Sequence, residues 1–216
     1  GRGERAGSDQ PKQFRAIGGI PMLLRAIRPF SSHERVRHIV VALSESYATD
    51  PPKWLGDLVG ERLTLVPGGK TRAHSVKAAL DALAPECCLV LVHDAARPFV
   101  TREIIDSIIG RVDAGVCAIA AVSVSDTIKR SEPDAYRVVE TVDRATLWRA
   151  LTPQGFPRGV LAKAYDGSGN SLERFTDDAG LVEAAGFEVH LVPDDPSNIK
   201  LTTAHDFVMA EAISGG

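Results

Sequence analysis

Short runs of apolar, largely β-branched residues alternate with amphipathic stretches along almost the whole chain, and this alternation constrains the fold most. The clearest runs are His38–Leu43, Leu63–Val66, Leu89–His93, Val116–Val122 and Glu188–Val192. Continuous apolar runs of this kind suit parallel strands covered on both faces. Between them, Met22–Arg28, Arg72–Ala84, Arg102–Ala114, Asp177–Ala185 and Thr203–Ser214 carry helical periodicity. Strand alternating with helix implies a right-handed, doubly wound, mostly parallel α/β sheet of Rossmann-like type. The 216 residues suit one domain, residues 1–216. One stretch breaks the alternation. Within Ser125–Arg149, Thr127–Lys129 and Arg137–Val142 flank a polar turn at Ser131–Asp134. This predicts two short antiparallel strands projecting as a β-arm over about residues 125–150. An arm with little core of its own needs a partner, which points to a homodimer.

Composition excludes several classes. The net charge is -3, with both signs spread along the chain and no dense basic stripe, which argues against nucleic-acid binding. No apolar run approaches the roughly 18 residues of a membrane span, and Gly1–Gln10 lacks a signal-peptide core. Cys87 and Cys88 are adjacent and Cys117 is apart, which fits neither a disulfide framework nor a zinc pattern. Buried, reduced thiols in a cytoplasmic protein are the expectation.

Several loops carry candidate chemistry. Gly1-Arg2-Gly3-Glu4-Arg5-Ala6 matches the dinucleotide fingerprint G-x-G-x-x-A, but no strand precedes it, and Gly7, Ser8, Asp9 and Pro11 oppose the helix it requires. A longer loop around a triphosphate fits better. Gly1 and Gly3 would let amides approach the oxygens, and Arg5 and Lys12 would supply charge. Lys12 after Pro11 is placed to reach a phosphate; alone, such a lysine is an ordinary surface residue. Val66-Pro67-Gly68-Gly69-Lys70-Thr71-Arg72 resembles a P-loop, yet that motif needs glycine where Thr64 stands. What remains is a strand, a glycine turn and a helix start whose amides can bind phosphate or a base edge, with Ser75 one turn further. His93-Asp94-Ala95-Ala96-Arg97-Pro98 leaves the carboxyl end of the most apolar run, where ligands bind in open α/β sheets. Asp94 there suits Mg²⁺ together with phosphate oxygens, or a simple turn or cap. Thr176 reads as the N-cap of the helix after it, and Lys200 as the guard of an edge strand.

Taken in order, GRGER, PKQF, GGKTRAHSV, VHDAARPFV, SDTIK, TVDRATLWRALTPQGF, FTDDA and NIKLTT resemble the 2-C-methyl-D-erythritol 4-phosphate cytidylyltransferase family from Gly1 to about Ala212. The resemblance implies transfer of CMP from CTP to a sugar-alcohol phosphate with release of pyrophosphate, assisted by Mg²⁺ or another divalent cation. It implies that Arg5 and Lys12 stabilise charge on the α-phosphate and that Gly1 and Gly3 cradle the triphosphate. Gly69, Arg72 and Ser75 would lie near cytosine and ribose. Asp94 and Ala95 would sit beside the nucleotide, Asp94 helping place the metal, chiefly through the CTP phosphates. Thr127, Arg144 and Lys200 would hold the acceptor phosphate, with Thr152 in the same substrate site. Thr127 and Arg144, on the arm, would serve the neighbouring subunit.

The family's first strand, ending Pro-Ala-Ala, is expected ahead of Gly1, and relatives fused to a later pathway enzyme make a longer parent chain an expectation too. Three rival readings stand beside this one. They are a ribitol-5-phosphate cytidylyltransferase, a catalytically inactive nucleotide-binding protein, and a nicotinamide-dependent oxidoreductase resting only on GRGERA.

Overall fold

The computed structural model describes residues 11–133 and 136–215, except the side chain of Asn170. Gly1, Gly3 and Arg5 therefore lie outside the described residues, as does Asp134 of the arm's turn. After a short 3₁₀ turn, Lys12–Phe14, the elements are β1 (Ala16–Ile17), β2 (Ile20–Pro21), α1 (Met22–Ser31), β3 (Ile39–Leu43), α2 (Glu45–Thr49), α3 (Lys53–Gly56), β4 (Leu63–Pro67), α4 (Arg72–Asp81), β5 (Leu89–Val92) and α5 (Arg102–Asp113). Then follow β6 (Cys117–Ser123), β7 (Ile128–Ser131), β8 (Val138–Val142), β9 (Trp148–Pro157), α6 (Arg158–Ser168), α7 (Asp178–Ala184), β10 (Val189–Pro193) and α8 (Ala204–Gly215).

The main sheet has the order β10-β6-β9-β5, and β3 pairs with β4 separately. β10 runs parallel to β6 and β3 parallel to β4, whereas β9 runs antiparallel to both β5 and β6. All six residues from Cys117 to Val122 are buried. That is what a strand covered on both faces requires, and it explains why β6 reads as an unbroken apolar run. On one face, α5 delivers Ile104, Ile105, Ile108, Ile109 and Val112, a stripe at helical spacing that packs on Ala118, Ala120 and Val122. On the other, α6 and α7 bring Leu161, Ala164, Tyr165, Leu181 and Val182 against Val90, Val92 and Phe156.

The strand β9 and the helix α6 were absent from the sequence expectation. Thr152-Pro153-Gln154-Gly155 reads as a turn, and Pro153 inside a central strand is unusual because it cannot donate to a ladder. The ladder accommodates it with an irregularity: Gln154 pairs with Ile119, but Ala150 with Ala121, so residues 151–153 bulge. Gly155 is needed for close packing, since a Cβ there would lie 2.3 Å from Ile108 Cγ2.

Four smaller expectations change. The N-cap of α7 is Asp177, which accepts from the Gly180 amide, rather than Thr176. Lys200 lies in no strand. Of the thiols, Cys117 is buried, but Cys87 is half-buried and Cys88 exposed. The arm ends before Trp148, which already belongs to β9. Its two strands pair antiparallel with each other, Ile128 opposite Val142.

Candidate active site

The site is built where β4, β5 and the segment after β10 end. Beyond β4, the glycine turn folds back onto α4. The Gly68 amide donates to the Leu43 carbonyl at 2.6 Å, and the Gly69 amide to Ser75 Oγ at 3.1 Å. Ser75 Oγ in turn donates to the Thr71 carbonyl at 2.9 Å. Only glycine fits at 69, because a Cβ would come within 2.3 Å of His74 Cβ. Thr71 caps α4 by accepting from the His74 amide. Arg72 is thereby fixed as the first helical residue.

Asp94 follows β5 and is the centre of the charge arrangement. Its Oδ1 accepts from Arg72 Nε at 3.0 Å, and its Oδ2 lies 2.7 Å from Lys200 Nζ. Burial pushes the Asp94 carboxyl up, but Arg72 and Lys200 outweigh it and hold the group well below the usual carboxylate range. Arg72 is itself shared, its NH1 donating to Asp178 Oδ2 at 2.7 Å. Burial disfavours its charge, and the carboxylates of Asp178 and Asp94 more than restore it.

A neutral hydrogen-bond chain fixes the Asp94 backbone. His93 Nε2 faces the Arg97 carbonyl at 3.0 Å, so that nitrogen must carry the proton. His93 Nδ1, at 3.0 Å from Thr152 Oγ1, is then the acceptor, and the Thr152 hydroxyl donates to it. The same oxygen accepts from the Asp94 amide at 3.0 Å. Burial lowers the His93 pKa to about 4, consistent with a neutral ring. Asn198 Nδ2 donates to the Thr152 carbonyl, and Arg97 NH1 donates to the Asn198 carbonyl at 2.7 Å. The Leu201 amide donates to the Ala96 carbonyl at 2.8 Å, and the Leu201 carbonyl accepts from Lys12 Nζ at 2.6 Å. Lys12, Lys200 and Asp94 thus converge through one turn.

Of the residues expected from sequence, the structure gathers Lys12, Arg72, Asp94, Thr152 and Lys200, with Ala95 packed against the apolar cluster that includes Val41 and Leu43. Gly69 and Ser75 form the neighbouring loop. Thr152 is buried, and its only proton goes to His93. Thr127 and Arg144 are exposed on or beside the arm, where Arg144 NH1 donates to the Ser125 carbonyl, and neither bonds to the Asp94 cluster. Sequence reasoning missed His93, Arg97, Tyr165, Asp178 and Asn198 as parts of this network. The only signals were that Asp178 and Asn198 lie in polar clusters and that His93 ends an apolar strand.

Among the described residues no three His, Cys, Asp or Glu side chains group to hold a metal. Asp94 is a single carboxylate with both oxygens already engaged by cations. A metal site made by these side chains alone does not fit the geometry.

Comparison with known proteins decides the family. The model of the 2-C-methyl-D-erythritol 4-phosphate cytidylyltransferase family matches residues 1–215. The chain belongs to that family. It is 41% identical over 222 residues to the cytidylyltransferase of Streptomyces coelicolor, covering 99% of this chain and 81% of that one. It is also similar to a bifunctional enzyme of Caulobacter vibrioides, at 42% identity over all of this chain and 55% of the relative. Among solved structures, the Thermus thermophilus cytidylyltransferase superposes with a TM-score of 0.82 at 32% identity, covering 95% of this chain and 94% of that one. The Anaerococcus prevotii 4-diphosphocytidyl-2C-methyl-D-erythritol synthase gives 0.86 at 26% identity, covering 98% and 94%. The α/β fold and the cytidylyltransferase class follow from this membership. No described helix is long and apolar enough to cross a membrane.

Proposed function

We propose that the chain transfers CMP from CTP to 2-C-methyl-D-erythritol 4-phosphate and releases pyrophosphate. The observation that carries the reading is the sharing of Asp94 between Arg72 and Lys200 at the strand ends, in a chain matched by the family over its length. The acceptor phosphate is already an anionic nucleophile, so no strong general base is required. One of its oxygens bonds to the α-phosphorus of CTP as the bond to the β-phosphate oxygen breaks, and pyrophosphate carries away the electron pair.

Two anions must meet in line, so fixed cations and orientation supply most of the catalysis. Lys12 and Arg5 are assigned to the α-phosphate, and Gly1, Gly3, Gly69, Arg72, Ser75 and Ala95 to the nucleotide. Lys200, Thr152 and, from a second subunit, Thr127 and Arg144 are assigned to the acceptor. Asp94 holds Arg72 and Lys200 at the meeting point. A divalent cation, Mg²⁺ for instance, is assigned to the phosphates of CTP rather than to a cage of side chains.

We assign the chain as one nucleotidylyltransferase domain over residues 1–216 that pairs as a homodimer through the arm. Support for the pairing comes from Val138 and Val139 on β8, which are 56% and 57% exposed. The three free cysteines favour the cytoplasm.

The test is magnesium-dependent pyrophosphate release from CTP with methylerythritol phosphate, run beside ribitol 5-phosphate. Release with the first acceptor alone is expected. Release with ribitol 5-phosphate alone would replace the acceptor, and CTP binding without release from either would make the chain an inactive binder.

A further inference from the structure

We infer that Asp178 and Tyr165 form a positioning pair that sets the Arg72 guanidinium for the nucleotide. The inference rests on the proposed function, which places Arg72 beside CTP.

The Asp178 carboxylate is 1% exposed, at the first position of α7. One oxygen, Oδ2, accepts from Arg72 NH1 at 2.7 Å; the other, Oδ1, accepts from Tyr165 OH at 2.5 Å. Tyr165 is 3% exposed, and burial together with the Asp178 charge pushes its hydroxyl far above its ordinary value, so it stays a donor. A charge-assisted bond of that length holds the carboxylate in one rotamer. Both of its oxygens are committed, and its direction is therefore fixed from two sides.

The helix that carries Asp178 is clamped in turn. Gln154, buried in β9, donates from Nε2 to Asp177 Oδ2 at 2.9 Å and accepts at Oε1 from the Ala179 amide at 3.1 Å. Both ends of one amide thus grip the start of α7 on either side of Asp178. Arg72 then spans two carboxylates on separate elements, Asp94 after β5 and Asp178 on α7. A planar guanidinium held at two of its edges cannot swing, and its remaining N–H groups keep one direction.

Stability alone does not account for this arrangement. A buried ion pair commonly does no better than well-packed apolar side chains of the same volume, because desolvation offsets the attraction. Apolar side chains at 72, 165 and 178 together would fill the same space without removing charge from water. What the pair provides is direction for Arg72, which at 31% side-chain exposure remains partly open to a ligand. Charge matters as well. Asp94 and Asp178 offset Arg72 and Lys200 among these four side chains, so the two cations do not force each other apart before a phosphate arrives.

The experiment is a double-mutant cycle on the full chain, with Asp178→Asn, Tyr165→Phe and Arg72→Gln, singly and combined. It reads kcat and KM for CTP and for the acceptor, together with melting temperature. For Asp178→Asn, kcat/KM for CTP is expected to fall about tenfold, and for Tyr165→Phe about threefold, with KM for the acceptor unchanged within about twofold. In the Arg72→Gln background neither change should cost anything further, since each acts through Arg72. Losses that persist undiminished in that background, or that fall equally on the acceptor, would overturn the inference. Should Asp178→Asn not fold, Tyr165→Phe decides the matter by the same criterion. A wild-type chain that neither binds nor turns over CTP would sink the proposed function and the inference with it. An active wild type with an additive cycle would sink the inference alone.

Discussion

The Asp94 cluster and the β7–β8 arm both carry several charged residues, yet they are built in opposite ways. In the cluster each charge has a fixed partner on another element, and α4, β5, β9, α7 and the 194–201 segment all contribute. In the arm the pairs are local and exposed. Arg130 Nε meets Glu140 at 2.5 Å, Lys129 Nζ meets Thr141 Oγ1 at 2.6 Å, and Arg137 pairs with Glu132. Exposed pairs of this kind contribute little, because water screens the charges and ordering the long side chains offsets the attraction. A two-stranded hairpin without a core is marginal by itself. The difference teaches that the charges of the cluster find their partners within one chain, whereas the arm leaves Val138 and Val139 facing solvent, which is the surface that the proposed pairing of two chains would cover.

The largest effect tests the cluster. Lys12→Ala should lower kcat by about 10²–10³, or about 3–4 kcal/mol of barrier, as loss of one preorganised charge-stabilising donor does. Lys12 Nζ is already aimed by the Leu201 carbonyl, which motivates the size. Turnover near wild type, measured as pyrophosphate release at saturating CTP, would remove Lys12 from the chemistry. The next effect tests the arm. Arg144→Ala should lower kcat/KM for the acceptor by about 10–100-fold without moving the melting temperature, because Arg144 is exposed. If the arm serves a neighbouring subunit, mixing Lys12→Ala with Arg144→Ala chains regenerates intact sites in mixed dimers. Random pairing then returns roughly a quarter of wild-type activity. Activity that stays at the level of the two separate mutants would place both residues in the same subunit's site.

The two regions were not equally legible in the sequence. The arm was visible because short alternating segments around a polar turn make a local signal, and the observed β7 and β8 nearly coincide with it. The parallel strands were visible for a related reason: a strand covered on both faces leaves an unbroken apolar run, as Cys117–Val122 does. β9 was not. Its Pro153 and Gly155 are turn signals by propensity, and only the bulge at 151–153 and the pressure of Ile108 against Gly155 explain them. The site divides in the same way. Lys12 and Asp94 stand out at loop positions, Arg72 just after a glycine turn and Lys200 through the family resemblance, but Asp178 looked like part of a helix start. Its partners, Arg72 and Tyr165, lie 106 and 13 residues away in the chain, and no local pattern reports such a meeting.

Two smaller effects sharpen how rigid the cluster is. Thr152→Val removes the oxygen that joins the Asp94 amide to His93 and leaves both groups buried or half-buried without a partner. It should cost about 1–3 kcal/mol in urea unfolding, whereas the same change at exposed Thr127 should cost almost nothing. Equal costs at the two threonines would show that the chain through Thr152 does not hold the turn.

The last effect, smallest per pH unit, is a pH dependence from His93. Its ordinary pKa is 6.5, and burial lowers it to about 4 in the folded chain. Between those values the unfolded chain takes up a proton that the folded chain refuses, so stability falls as pH drops from 6.5 toward 4 and levels off above 6.5. One proton sets the slope at no more than about 1.4 kcal/mol per pH unit. The physical reason is specific. Nε2 is committed as donor to the Arg97 carbonyl, so a second proton must go to Nδ1, where it would displace the Thr152 hydroxyl proton beside the Arg97 charge. Urea midpoints at pH 4.5, 5.5, 6.5 and 7.5 for the wild type and His93→Gln check this, the variant losing about one proton's worth of slope in that window. Equal slopes in the two chains would assign the acid sensitivity to another group and leave the His93–Thr152 chain without a titrating member.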